Sequence, residues 1–149
     1  MTGLATNCVV DASVGIRLFL PEEHSDEVQQ LFERSLDDAN AQLCVPDLFF
    51  IECANVLWKK VRRGEYSAQI AAQNLSDLRT LDLPTTPSSE LMERALQIAC
   101  DLGITAYDAC YAALAEARGI PLLTADNQLA AKVAGVVCEV VVLGSSALK

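Results

Sequence analysis

Histidine, closely spaced cysteines and long apolar runs are what this chain has least of. It has one histidine, His24, and six cysteines without a CxxC pair. These absences disfavour a histidine-based zinc centre and a Ser/His/Asp hydrolase, and we expect His24 to lie on the surface. The apolar runs, such as residues 140–143, fall far below the roughly 20 residues that a membrane span needs, and no signal-peptide pattern opens the chain. We therefore expect a soluble, cytoplasmic protein without a membrane partner.

Positive charge is also scarce. The chain has 11 Lys and Arg against 20 Asp and Glu, which gives a net charge of −9. Such a chain repels a polyanion such as nucleic acid at long range. With 52% hydrophobic and 21% charged residues, and no repeat or linker, it fits a single domain over residues 1–149. Most of the cysteines lie in apolar segments, where we expect buried free thiols.

Short apolar runs alternate with helical patterns along the chain. The predicted strands are residues 8–10, 43–45, 82–86, 120–124 and 140–143. The alternation predicts an α/β protein whose five-stranded, mostly parallel sheet is covered on both faces. Ser25, Asp47, Ser67 and Thr105 can cap helices, Ser88 or Ser89 can start another, and Gly64, Gly103 and Gly119 can end them.

Four acids stand at informative places in this pattern: Asp11, Glu52, Asp108 and Asp126. Asp11 and Asp126 each follow a predicted strand, and the carboxyl ends of parallel strands share one edge of a sheet. Taken singly, each aspartate has a structural explanation, because acids are favoured at helix N-termini, and Thr105 to Asp108 resembles a capping box. Capping does not require the acids to converge, however, so we predict one shared site.

Glu52 is the least expected of the four, because it lies in the apolar segment 49–54. Glu52, Asn55 and Lys59 form one polar stripe at helical spacing. The structural explanation is a solvated helix face. The functional explanation is a carboxylate aimed at the sheet edge, with a basic helix end nearby that meets phosphates. That end contains Lys59, Lys60, Arg62 and Arg63.

Clustered carboxylates need a counter-charge. Two unit charges about 4 Å apart cost on the order of 4 kcal/mol at an effective dielectric near 20, so a bare cluster protonates or binds a cation. Oxygen ligands select Mg²⁺ or Mn²⁺ over zinc. Such an ion activates a bound water and neutralises charge on a phosphate, which permits phosphodiester hydrolysis without a protein nucleophile.

Four segments carry a family resemblance in chain order: VVDASV at residues 9–14, PDLFFIECANVL at 46–57, TAYDA at 105–109 and LLTAD at 122–126. Together they resemble the PIN domain and, more narrowly, the VapC-type toxins of prokaryotic toxin–antitoxin pairs. The resemblance implies a three-layer α/β/α fold with a central parallel sheet. It also implies a magnesium-dependent endoribonuclease that leaves a 5′-phosphate and a 3′-hydroxyl, a homodimer, and a cognate antitoxin.

The resemblance also assigns roles to residues. The family's acidic quartet matches Asp11, Glu52, Asp108 and Asp126, its supporting hydroxyl residues match Ser13 and Thr124, and its frequent polar neighbour matches Asn55. Thr105, which begins the capping box that ends at Asp108, is a further candidate for a supporting role. Asp11 and Asp108 are the first choices as direct metal ligands, and Glu52 and Asp126 bind directly or through water. Some relatives carry a further acid after the fourth, whereas Asn127 and Gln128 stand here. The number of metal ions therefore stays open.

Two other functions compete with the ribonuclease. One is a catalytically silent PIN-like module that binds a protein or RNA. The other is a phospho-accepting domain with Asp11 as nucleophile, although its neighbouring acid pair and lysine are not evident. For the ribonuclease, two divalent ions would bring the net charge from −9 to −9 + 4 = −5. We therefore expect modest, strongly salt-dependent affinity for exposed loops or single strands of RNA.

Overall fold

A five-stranded parallel sheet forms the centre of the molecule in the computed structural model, which describes residues 5–145. The strands are β1 (Asn7–Val10), β2 (Gln42–Pro46), β3 (Thr85–Thr86), β4 (Leu122–Thr124) and β5 (Val140–Val142). They lie in the order β3-β2-β1-β4-β5, and every neighbouring pair is parallel. The predicted α/β class and the five-stranded sheet are confirmed. The predicted strand 82–86 is shorter than expected, because Pro84 lacks the N–H that a longer pairing needs.

Within residues 5–145, seven α-helices connect and cover the strands. They are α1 (Ala12–Gly15), α2 (Ser25–Asp37), α3 (Leu48–Arg62), α4 (Ala68–Thr80), α5 (Met92–Leu102), α6 (Ala106–Arg118) and α7 (Asn127–Val133). Consecutive residues of β1, β2 and β4 are buried, although their side chains alternate between the two faces of the sheet. Both faces are therefore covered by helices, as in the predicted α/β/α fold.

The predicted helix caps are partly correct. Ser67 and Thr105 accept hydrogen bonds from the backbone of Ile70 and Asp108, as expected for N-caps. The prediction for Ser25 is wrong, because residue 24 occupies the cap position of α2 and the Ser25 hydroxyl donates to the carbonyl of Leu20 at 2.9 Å.

The prediction for Asp47 as a side-chain cap is also wrong. Its carboxylate makes no capping bond to α3 and instead accepts the backbone N–H of Ser88 at 2.9 Å. This bond ties the start of α3 to the segment after β3. Ser88 itself begins a short 3₁₀ turn (Ser88–Glu90), so that α5 starts only at Met92. The two glycines predicted to end α5 and α6, Gly103 and Gly119, do so in the left-handed conformation.

The cysteines are free, and four of them are buried: Cys8, Cys44, Cys53 and Cys110. Burial raises the pKa of Cys8 and of Cys53 to about 12, so both stay protonated and unreactive at neutral pH. Cys138 is half-buried. Cys100 departs from the prediction because it is exposed on α5.

His24 is only partly at the surface. Its side chain is 36% exposed and its Nδ1 lies 3.1 Å from Oε1 of Glu27. No single helix of residues 5–145 is long and apolar enough to cross a membrane, and α5 and α6 reach that length and composition only as a pair bent by 114°.

The position of α3 relative to β1 depends on a close contact between Gly15 and Phe49. Gly15 ends α1, which follows directly from β1, and Phe49 is fully buried in the first turn of α3. A β-carbon added to Gly15 would lie 2.5 Å from Cζ of the Phe49 ring. Only glycine at this position allows α3 to approach the end of β1 this closely.

Gly15→Ala is therefore expected to lower the free energy of unfolding by about 1–3 kcal/mol, the usual cost of overpacking a core. Urea denaturation of Gly15→Ala, Phe49→Leu and the double variant measures the coupling between the two positions. The smaller leucine should relieve part of the alanine penalty. An equal penalty in both backgrounds would contradict the contact.

Candidate active site

Asp11 connects the carboxyl ends of the neighbouring strands β1 and β4. It follows β1 and is 6% exposed. Its Oδ2 accepts hydrogen bonds from the hydroxyls of Thr124, at 2.7 Å, and Ser13, at 3.0 Å. Thr124 is the last residue of β4, and the Ser13 hydroxyl also accepts the backbone N–H of Ala125 at 3.0 Å. The two residues matched to supporting roles thus contact Asp11 and hold it between the strand ends.

Asp126 lies on the same edge of the sheet and caps α7. Its Oδ1 accepts the backbone N–H groups of Gln128 at 2.9 Å and Leu129 at 3.1 Å. Its own N–H donates to the hydroxyl of Thr124 at 3.0 Å. The capping explanation therefore applies to Asp126, but it uses only Oδ1. The other carboxylate oxygen takes part in neither capping bond.

Asp108 lies in the first turn of α6, beyond the ends of the strands. Its backbone N–H donates to the Thr105 hydroxyl at 3.1 Å, which fixes the start of the helix. Burial is the largest influence on its side chain and raises its pKa, and the charges of Asp11 and Asp126 raise the pKa further. Asp108 therefore lies within range of the charges of the other two aspartates, and it lines the same cleft as Asp126.

Glu52 lies on α3 and is half-buried. Burial raises the pKa of Glu52 most strongly, and the charges of Asp11 and Asp108 raise it as well. The Tyr111 hydroxyl donates to Oε1 of Glu52 at 2.5 Å and opposes this rise. The solvated-face explanation describes Asn55 further along α3, which is exposed, but not Glu52.

The four acids share a region of uncompensated negative charge. Burial raises the pKa of Asp11, whereas hydrogen bonds from Thr124, Ser13 and nearby backbone N–H groups work against that rise. Burial and the adjacent carboxylate also raise the pKa of the Tyr111 hydroxyl, which stays protonated and acts as a donor. No ion pair between described residues includes any of the four acids.

The donor set fits a hard divalent cation, although the acids do not form a closed cage. Within residues 5–145, no three carboxylate, thiol or imidazole side chains are close enough to surround one ion. Among the described residues, the side-chain hydrogen bonds to Asp11 use Oδ2 and the capping bonds to Asp126 use Oδ1, so neither set occupies both oxygens of its carboxylate. Oxygen ligands without a paired cation are the set that Mg²⁺ and Mn²⁺ prefer.

A cleft of about 270 Å³ adjoins Asp108 and Asp126. It is also lined by Thr105, Gln128 and Lys132. The Lys132 ammonium donates to the carbonyl of residue 102 at 3.2 Å, which places a positive charge on the wall of the cleft. Sequence reasoning missed Lys132, which stands six positions after Asp126 on an exposed helix face.

The basic residues predicted to meet phosphates lie at the far end of α3. Lys59 is exposed and stands seven positions from Glu52, which corresponds to about 10 Å along a helix axis. Arg62 stacks on the Trp58 ring at 5.0 Å, and Arg63 pairs with Glu65 at 3.8 Å. The cluster therefore lies beside the acidic region and does not enter it.

Tyr111 is the other site residue that sequence reasoning missed. It lies within a run of seven buried residues in α6, where the sequence pattern predicts that an aromatic side chain is a core residue. The available signal was its spacing, since residues three apart share a helix face and Tyr111 follows Asp108 by three.

Comparison with known proteins gives a consistent result. The pattern of the PIN domain matches residues 8–135. The chain is 40% identical to Ribonuclease VapC3 of Pyrobaculum aerophilum over 126 residues, which cover 83% of this chain and 92% of that protein. It is 35% identical to Ribonuclease VapC9 of Mycobacterium tuberculosis over 121 residues, which cover 81% and 87% of the two chains.

Solved structures share the fold. A Pyrobaculum aerophilum protein has a TM-score of 0.69 and 27% identity, with 94% of this chain and 86% of that chain covered. The DNA-bound VapBC of Salmonella typhimurium has a TM-score of 0.66, with 92% and 98% covered, and its 14% identity shows likeness of fold alone.

Asp108→Asn is expected to stabilise the metal-free protein at pH 7.5. Asp108 has a raised pKa in the folded state, so the folded protein binds its proton more tightly than the unfolded chain does. Stability from this group is therefore greatest below the unfolded-state pKa, near 4, and is lost as the pH rises through the folded-state value. Asparagine carries no charge, so the variant does not lose this stability as the pH rises. The difference in stability between the variant and the wild-type protein should therefore shrink as the pH falls towards 4.

Thermal unfolding in EDTA between pH 4 and 8 measures this difference. Asp77→Asn on α4 is a matched control, because Asp77 is exposed and distant in sequence from the four acids of the candidate site. An advantage that is absent at pH 7.5, or that grows towards acidic pH, would contradict the repulsion inferred for Asp108.

Proposed function

This chain belongs to the PIN-domain family and, within it, to the VapC type, and from that membership we propose that it is a magnesium-dependent endoribonuclease. The observation that carries the proposal is the position of Asp11 and Asp126 at the carboxyl ends of β1 and β4, with Asp108 beside Asp126 on one cleft and Glu52 within range of the charges of Asp11 and Asp108. Asp11 is buried there between two strand ends and bonded by two hydroxyls. The relatives named as ribonucleases support RNA as the substrate.

The residues that would hold the ion are the four acids, with Asp11 and Asp108 as direct ligands and Glu52 and Asp126 binding directly or through water. Bound Mg²⁺, or Mn²⁺ in its place, supplies an acidified water and a positive charge beside the phosphate. The protein supplies orientation. Hydroxyls hold Oδ2 of Asp11, and backbone N–H groups hold Oδ1 of Asp126.

RNA would lie across the acidic edge of the sheet. With a net charge of −9, the chain needs local cations for this, and we propose that Lys59, Lys60, Arg62 and Arg63 contact phosphates that flank the cleaved bond. The position of the cluster supports contact with flanking phosphates, because the cluster begins about 10 Å from Glu52 along the axis of α3. Lys132 beside Asp126 provides a further positive charge on the cleft wall.

We further propose a cytoplasmic homodimer whose activity is restrained by a cognate antitoxin. The support is the family membership together with the solved neighbours, three of which are VapBC or toxin–antitoxin complexes from Klebsiella pneumoniae, Salmonella typhimurium and Rickettsia felis. Each of these has 18% identity or less to this chain, so they support the fold directly and the partner by analogy.

Asp11→Asn should lower the cleavage rate of a mixed RNA pool by about 100-fold or more, because it removes a charged ligand from the centre of the site. EDTA should stop cleavage, and added Mg²⁺ or Mn²⁺ should restore it. Asp77→Asn is the control for a lost surface charge. Cleavage that continues in EDTA, or that is unchanged in Asp11→Asn, would refute the metal site, and no cleavage by the wild-type protein would favour a silent binding module.

Lys59→Gln combined with Lys60→Gln should weaken binding to single-stranded RNA and make it less dependent on salt. Each lost phosphate contact reduces the slope of log affinity against log salt by about 0.7 for a single strand. Fluorescence anisotropy between about 50 and 300 mM KCl, over which the Debye length falls by about 2.4-fold, measures both quantities with the Asp11→Asn protein as background. Arg79→Gln at the exposed end of α4 is the control, and an unchanged slope in the lysine variant would exclude this surface.

A further inference from the structure

The hydroxyl of Tyr111 is a polar group in an otherwise apolar stretch of α6. Tyr111 is 0% exposed and is the largest fully buried side chain of residues 5–145. Its buried neighbours in α6 are alanine, cysteine and leucine. A phenylalanine would fill the same space without a polar atom. Core packing therefore accounts for the ring of Tyr111 but not for its oxygen.

That oxygen is bonded to one of the four acids. The Tyr111 hydroxyl donates to Oε1 of Glu52 at 2.5 Å, which joins α6 to α3 across 59 positions of sequence. The distance is typical of a hydroxyl that donates to a charged carboxylate. No other side-chain hydrogen bond formed within residues 5–145 reaches Glu52.

Two of the other acids, Asp11 and Asp126, are oriented by groups close to them in the fold. Asp11 has the hydroxyls of Ser13 and Thr124, and Asp126 has two backbone N–H groups of its own helix. Glu52 has a longer side chain with more rotatable bonds, and it depends on Tyr111 alone. Its orientation is therefore the least constrained of the three by local structure.

Two influences favour rotation of the Glu52 side chain away from the other acids. It is half-buried, with access to water, and the negative charges of Asp11 and Asp108 act on it. An unrestrained glutamate would relieve this repulsion by rotating towards solvent. The hydrogen bond from a buried, immobile ring opposes that rotation.

We propose that Tyr111 is a positioning residue that holds the Glu52 carboxylate towards Asp11 and Asp108 and so sets the affinity of the site for its divalent ion. This inference rests on the proposed function. Tyr111 follows Asp108 by one turn of α6, so a single helix supplies one acid directly and orients a second. Such outer groups alter metal affinity when they are removed, typically by 10–100-fold.

Tyr111→Phe tests the role by deleting one oxygen. We expect the affinity for Mn²⁺, measured by isothermal titration calorimetry, to fall by about 10-fold. Tyr66→Phe is the matched control, since the Tyr66 hydroxyl is also bonded to one side chain, Asn74, near the α3–α4 connection. The control should retain the wild-type Mn²⁺ affinity.

Cleavage supplies a second readout. In Tyr111→Phe, the Mg²⁺ concentration for half-maximal cleavage should rise by about 10-fold, and the rate at saturating Mg²⁺ should fall by less. A purely structural role predicts a lower Tm with unchanged Mn²⁺ affinity and an unchanged Mg²⁺ midpoint. That result would overturn the inference.

A double variant shows whether Tyr111 acts through Glu52. Glu52→Ala and Glu52→Ala/Tyr111→Phe should bind Mn²⁺ equally, because the carboxylate that Tyr111 orients is gone. A further 10-fold loss in the double variant, on the scale of such outer groups, would show that Tyr111 acts elsewhere. If Tyr111→Phe does not fold, whether or not the double variant folds, the hydroxyl is required for folding and the inference about metal affinity fails.

The wild-type protein separates this inference from the proposed function. If it binds no Mn²⁺ and cleaves no RNA, the proposed function fails and the role of Tyr111 fails with it. If it binds Mn²⁺ and cleaves RNA while Tyr111→Phe matches it in both, only the inference about Tyr111 fails.

Discussion

The burial of carboxylates close to one another is the constraint on which this site depends. Asp11, Glu52 and Asp108 each have a raised pKa, and burial is the largest cause in every case. The rest of the fold has to hold these charges together without a paired cation. It does so with hydrogen bonds from groups that are themselves fixed, namely hydroxyls at strand ends, backbone N–H groups at a helix start, and one buried phenol. A bound divalent ion would turn this unfavourable arrangement into a stabilising one, since a ligand that binds only the folded state raises stability.

Much of this site could be predicted from the sequence, because the positions of Asp11 and Asp126 follow from strand order. Acids that come directly after apolar strands must meet at one edge when the sheet is parallel, and β1 and β4 are neighbours. The family resemblance added the hydroxyl residues Ser13 and Thr124. The structure supplies their bonds to Asp11, which periodicity alone does not contain.

The remaining features depend on tertiary contacts. Asp47 has the sequence signature of a helix cap but bonds to Ser88, 41 positions away. Glu52 accepts a hydrogen bond from Tyr111, which is 59 positions away. Tyr111 lies in an alanine-rich helix whose sequence pattern predicts only core residues. Local patterns predict capping and burial well, but they carry no information about which distant group completes a hydrogen bond.

The bonds between the ends of β1 and β4 also have a consequence for biosynthesis. Thr124 and Asp11 are 113 positions apart, and the bond from Ala125 to Ser13 spans 112. While the chain is being synthesised, its first hundred residues contain Asp11 and Glu52 but none of the partners that fix Asp11 from β4. The central strand β1 then still has an unpaired edge. A nuclease built in this way gains its active arrangement only after the chain has been synthesised beyond Ala125, so shorter nascent chains do not carry the completed site.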